Sequence, residues 1–145
     1  MVRAFVILVV IVLGMTRPAA ADHVKDGRAV HRIVIQVNED NPQLWNLMLN
    51  NIANLIGAMG KEHVDIKVIA DGPGINMFKK GSSVVERLDS LKQFAGSSVG
   101  YTVCSNTMKA MKVERQDLVG LVDDFYPGIV RVVELQEQGY VYLRP

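Results

Sequence analysis

Only one side chain in this sequence is a strong nucleophile, the thiol of Cys104, and it stands in the stretch Tyr101-Thr-Val-Cys-Ser-Asn-Thr-Met-Lys-Ala-Met111. An apolar run ends at this cysteine and small polar residues with helical character follow. A lone cysteine cannot close an internal disulfide, so three readings are open: a buried inert thiol, half of an intermolecular disulfide, or a reactive sulfur. A free thiol has a pKa of about 8.5 and is only about 3% thiolate at pH 7. The helix beginning near Asn106 or Thr107 points its unpaired N–H groups back at Cys104. A helix terminus favours an anion by about 0.3–1 kcal/mol, and by up to about 2 when partly buried. At 1.36 kcal/mol per unit the thiol pKa falls by roughly 0.2 to 1.5 units. Glu39, Asp40 and Asp71 would oppose that shift if close, and Lys79, Lys80 and Lys109 would offset them.

The elements that must position this thiol alternate between strand and helix. His31–Val37 (HRIVIQV) is short and β-branched, and Asn38–Pro42 forms a loop after it. Asn41 suits a helix cap and Pro42 a first helical turn. Leu44, Leu47, Met48, Ile52, Leu55, Ile56 and Met59 then recur at helical steps before a stop at Gly60. His63–Ala70 reads as a second strand, ended by Asp71-Gly72-Pro73-Gly74. Ser83 and Glu86 have capping-box spacing for a helix through Phe94 that Gly96 closes. Val99–Cys104 is a third strand, Thr107–Lys112 a short helix, and Leu118–Phe125 a weaker fourth strand. Residues 129–135 fit either strand or helix, and Gln136–Gly139 before Tyr140–Leu143 favours a helix, a glycine stop and a last strand.

Such alternation predicts an α/β fold with a parallel sheet of about five strands covered on both faces. Right-handed crossovers narrow it to a flavodoxin-like, doubly wound order. Ligands of such sheets bind along the C-terminal edge of the strands. That edge gathers Cys104 with Asn38, Asp71, Gly72, Gly74, Asn106, Thr107, Tyr126 and Gly128. His31 and His63 begin their strands and belong to the opposite edge, which disfavours a Cys–His catalytic pair. Gly72-Pro73-Gly74 reads as a tight turn, since no full nucleotide fingerprint surrounds it. Asn46, Asn50, Asn51 and Asn54 read as solvated surface or subunit contact.

Composition and termini bound the function classes. Arg3, the apolar run Ala4–Met15 and Ala19-Ala20-Ala21 have the form of a secretory signal cleaved before Asp22, leaving residues 22–145 as one domain. Losing Arg3 and Arg17 takes the net charge from +1 to −1. A near-neutral domain with no basic stripe gives no reason to expect nucleic-acid binding. His23, His31 and His63 lack metal-ligand spacing and there is no second thiol, so no metal or other cofactor is expected.

The chain resembles the DsrE/DsrF-like (YchN-like) family of sulfur metabolism over about residues 31–145. The marks are "NPQLWNLMLNNIANL", "VIADGPGI", "YTVCSNTM" and "YPGIVRVVELQEQGYVYLRP". The resemblance implies helix 129–138 before a last strand. It also implies a cysteine at this strand end that carries sulfur as a persulfide between donor and acceptor partners, and assembly as a trimer or hexamer. The sulfur-relay members follow their cysteine with a basic Arg-Gly segment and work in the cytoplasm. This chain has Met108-Lys109-Ala110-Met111-Lys112 and the features of an exported, periplasmic or secreted protein. A non-catalytic oligomeric binding module and a thiol redox sensor are the alternative readings.

Overall fold

The computed structural model describes residues 24–25 and 28–145; the export signal read at residues 1–21 lies outside them. Strands β1 (Val24–Lys25) and β2 (Arg28–Ala29) pair antiparallel as a small separate ribbon. Then β3 (His31–Val37) leads to α1 (Pro42–Met59), β4 (Val64–Ala70), α2 (Val85–Ala95) and β5 (Val99–Cys104). The chain closes with α3 (Ser105–Met111), β6 (Asp124–Tyr126), α4 (Gly128–Glu137) and β7 (Val141–Leu143).

The five strands β3 to β7 form a wholly parallel sheet in the order β6-β5-β4-β3-β7, with helices on both faces, in the expected flavodoxin-like α/β class. Right-handed crossovers explain how the helices divide between the faces. The steps from β3 through β4 and β5 to β6 all run one way, so their connections share one face. The return from β6 to β7, beyond β3, runs the other way and places α4 on the opposite face, across β3, β4 and β5.

Burial follows this division. Alternate strand residues Ile33, Ile35, Ile66, Val68, Tyr101 and Val103 meet Trp45, Met48, Ile52 and Leu88 in the main core on the α1 side. Val34 and Ile69 point the other way and meet Val132, Leu135 and Tyr140 in a smaller cluster beneath α4. The same alternation turns Gln36, Thr102 and Cys104 toward the α4 side.

Local chemistry sets the ends of these elements. Asn41 Oδ1 accepts the N–H groups of Gln43 and Leu44 at 3.0 and 3.4 Å, and Gly60 stops α1 at φ +87°. Gly72–Phe78 winds into a 3-10 helix after β4. A Cβ at Gly74 would collide with the backbone of Val37, so only glycine lets this turn pass the end of β3. Asn46 and Asn50 accept from Arg87 of α2, which ties the two helices together; Asn51 and Asn54 line an apolar groove of about 450 Å³ with Leu143.

Three sequence expectations are corrected. Ser83 and Glu86 form no capping box: Val84 precedes α2 without a side-chain cap, and the reciprocal pair is Glu114 with Asp117. Strand character over Leu118–Phe125 shrinks to Asp124–Tyr126, because Leu118 bridges Lys79 and Val119 N–H donates to Phe78 O at 2.8 Å, carrying this segment away from the sheet. The helix after β5 begins at Ser105 instead of Thr107, which makes Cys104 its cap residue.

The shortness of β6 exposes the outer edge of β5. Asp123 covers it: its Oδ2 accepts the N–H of Tyr101 at 2.8 Å, and Lys92 Nζ reaches Asp123 Oδ2 at 2.6 Å and the carbonyl of Val99 at 2.7 Å. Asp123→Ala is expected to lower stability by about 1–2 kcal/mol in urea unfolding, with Asp123→Asn losing less because its amide oxygen can still accept.

Candidate functional site

Cys104 ends β5 in register with Tyr126, the last residue of β6. Beyond this pair the chain diverges: α3 leaves toward the main core, where Met108 is buried, and α4 leaves over the opposite face. Adjacent strands whose connections part in this way open a crevice at their C-terminal ends, the usual ligand position in open α/β sheets. The thiol therefore stands at the switch point, with the first residues of two helices converging on it.

The donors around the sulfur are uncharged. Gly128, the first residue of α4, donates its N–H to Cys104 Sγ at 3.2 Å. The hydroxyl of Thr107 and the N–H groups of Thr107 and Asn106 lie close enough to favour the sulfur's anion as well, although Cys104 makes no side-chain cap bond to α3. Thr107 Oγ1 meanwhile accepts the N–H of Gly72 at 3.0 Å, leaving its hydrogen for the sulfur. Burial pushes the Cys104 thiol up, but these hydrogen bonds outweigh it and hold the pKa below the ordinary thiol value. Backbone and hydroxyl dipoles are thus what lowers the thiol pKa. Glu39 and Asp40 are engaged elsewhere, with Arg144 and with Asn76 at 2.7 Å.

Gly128 fits tightly here. A Cβ added to it would lie 3.1 Å from both Asp71 Cβ and Cys104 Cβ, and 3.4 Å from the sulfur. Asp71 and Cys104 therefore flank this glycine on the α4 side of the sheet. Asp71 Oδ2 accepts from Gln36 Nε2 at 2.7 Å, and Gln36 Oε1 accepts from the Tyr142 hydroxyl at 3.1 Å. Burial raises the Asp71 pKa, which the bonds from Gln36 and from its own backbone partly offset.

The structure brings Cys104, Asp71, Gly72, Asn106, Thr107 and Gly128 into one cluster. Gly74 and Asn38 form the neighbouring wall through their backbones, with the Asn38 carbonyl 3.5 Å from the Cβ position of Gly72. Tyr126 lies beside the cluster, its hydroxyl donated to Glu134 at 2.9 Å and its ring 4.2 Å beneath the Arg131 guanidinium. Gly72 N–H and Gly74 N–H are committed to Thr107 and to Asp71 O, so this turn offers no phosphate cradle. The rim at the thiol is tighter than an open strand edge: Cys104 is 6% exposed, because the start of α4 closes over it. Gln36 was missed by sequence reasoning, although a polar residue inside HRIVIQV, close to the strand end, is a legible signal. His31 and His63 fall at the far edge, as expected. Among the described residues no group of three or more His, Cys, Asp or Glu gathers to hold a metal.

No family model and no curated protein matches the chain. Among solved structures, that of the protein of unknown function MTH1491 from Methanobacterium thermoautotrophicum is similar at 30% sequence identity and a TM-score of 0.71. The match covers 79% of this chain and 99% of the archaeal one. The chain belongs to the MTH1491 family. About a fifth of this chain lies outside the match, whereas almost all of the archaeal chain lies within it.

Removing the Thr107 hydroxyl tests the donor set. Thr107→Val is expected to raise the Cys104 pKa and slow iodoacetamide alkylation at pH 7 by several-fold, with Thr107→Ser close to wild type. The pH at half-maximal alkylation gives the shift directly: below that of free cysteine in wild type, and displaced upward in the valine variant.

Proposed function

We propose that this chain carries sulfane sulfur as a persulfide on Cys104, as its resemblance to the DsrE-like group implies. The observation that carries the reading is a single sulfur at the switch point of the sheet, bonded by the Gly128 N–H and close to further uncharged donors that favour its anion. The thiolate attacks the terminal sulfur of a sulfane donor. A Cys104–sulfur bond forms, the donor's sulfur–sulfur bond breaks, and the leaving thiolate departs with the electron pair. An acceptor thiol takes the sulfur by the same exchange in reverse. This chemistry needs one thiol and no metal, and it accounts for an unpaired cysteine in a chain with the features of an exported protein.

Sulfur donors and acceptors, small molecules or proteins, are the partners of this reading, and its compartment is periplasmic or extracellular. Assembly into a trimer or hexamer belongs to it as well. The apolar side chains left exposed on α4 and β7 (Ile129, Val133, Val141 and Leu143) suit a surface covered in such an assembly. Burial of Cys104 favours one competing reading, a binding module in which the thiol only packs. That module would label orders of magnitude more slowly than free cysteine in the native state.

Incubation with polysulfide followed by intact-mass measurement is expected to show a gain of about 32 Da that is absent from Cys104→Ser. Absence of the adduct across about pH 6 to 9 overturns the proposal.

A further inference from the structure

Asp71 is an acidic side chain that the sulfur chemistry above leaves unused. It follows β4 directly and lies on the α4 side of the sheet, with Gly128 packed between it and Cys104. One carboxyl oxygen, Oδ2, is fixed by Gln36 at 2.7 Å. The other, Oδ1, is buried and has no hydrogen-bond partner among the described residues. Buried oxygens in folded proteins are rarely left without one, and a carboxyl that carries a proton or transfers it is one of the explanations.

Charged groups on the surrounding elements do not neutralise this carboxyl. Gln36 of β3 and Thr107 of α3 are uncharged. After β3, Glu39 pairs with Arg144 and Asp40 accepts from Asn76. On α4, Arg131 is bound to Asp124 and Glu134, and Lys109 on α3 is exposed. Tyr126 donates to Glu134. Among the described residues no cation forms an ion pair with Asp71. Asp71 and Cys104 flank the same glycine with no cation beside them, an arrangement in which negative charge on both at once is disfavoured.

We infer that Asp71 is the proton donor of the Cys104 site, releasing its proton to the thiolate that departs when sulfur is transferred from an alkyl persulfide. This rests on the sulfur-carrier reading and names both a residue and a donor class for it. In the step, thiolate Cys104 attacks the outer sulfur of R–S–SH, the R–S bond to that sulfur breaks, and R–S⁻ takes the proton of Asp71. The products are Cys104–S–SH, R–SH and the Asp71 carboxylate. The single negative charge thus passes from sulfur to carboxylate and none accumulates. Alkyl thiolates are poor leaving groups near neutral pH, so they gain most from such a proton. Burial already raises the Asp71 pKa and the donor set lowers that of Cys104, in the direction the pairing requires.

Asp71→Asn separates the two effects, since the amide keeps the shape and an oxygen for Gln36 but has no proton to release as an acid. Alkylation by iodoacetamide at about pH 6 is expected to rise several-fold as the like charge is removed, with the inflection due to Asp71 lost from the pH profile. Single-turnover sulfur uptake from glutathione persulfide is expected to fall about tenfold. Gln36→Leu, which keeps the carboxyl but frees it, should shift the Asp71 inflection upward in pH. Unchanged rates, or two rates that move in the same direction, overturn the role of Asp71. Failure of wild type to take up any sulfur instead overturns the carrier reading, while the alkylation profile still reports the pairing of Asp71 with Cys104.

Discussion

The handedness of the last crossover is the constraint on which the site depends. A return from β6 across the sheet to β7 can be right-handed only over the face that α1 and α2 leave open. That step brings the first N–H of α4 onto the α4 side of β5, where alternation along the strand has already turned the sulfur of Cys104. A thiol taken from water incurs a desolvation penalty that favours its neutral form. Here several dipoles aimed at one atom reverse the balance, with no cation required. The close fit of Gly128 between Cys104 and Asp71 is the steric counterpart of the same convergence.

Unequal filling of the two faces makes polar chemistry possible at this position. The main core, with Trp45, Phe78 and Tyr101, occupies the α1 side, where every inward strand position is apolar. Beneath α4 the cluster is small, and toward the strand ends the same face carries a polar row of Tyr142 from β7, Gln36 from β3, Asp71 just after β4 and Cys104 from β5. Hydrogen bonds along part of that row satisfy groups that would otherwise be costly to cover. Stability is concentrated on one side of the sheet, and the other is free to hold titratable groups.

Most elements were legible because local signals agreed with the tertiary outcome. Asn41 and Pro42 open α1, and Gly60 and Gly139 mark stops where positive φ suits glycine. The β-branched runs of β3 and β4 pair along their whole length. Signals failed where a contact distant in sequence intervened. Leu118 and Val119 have strand character, yet the backbone around Phe78 captured them and they never joined the sheet. Ser83 and Glu86 had the right spacing but not the backbone that a reciprocal cap needs. The cluster was recovered in outline, since strand ends of a parallel sheet share one edge whatever their order. The link from Gln36 to Asp71 crosses between strands and leaves no periodic trace.

By itself the sequence determined the α/β class, the strand ends that form one edge, and the place of the only thiol upon it. These follow from short-range preferences for strand, helix and turn, which are properties of neighbouring residues. Tertiary structure alone decided which helix start meets the sulfur, how deeply the thiol is covered, and that a carboxyl lies beside it across Gly128. Those depend on the direction in which each crossover leaves the sheet and on packing between residues far apart in the chain, quantities that no local pattern encodes.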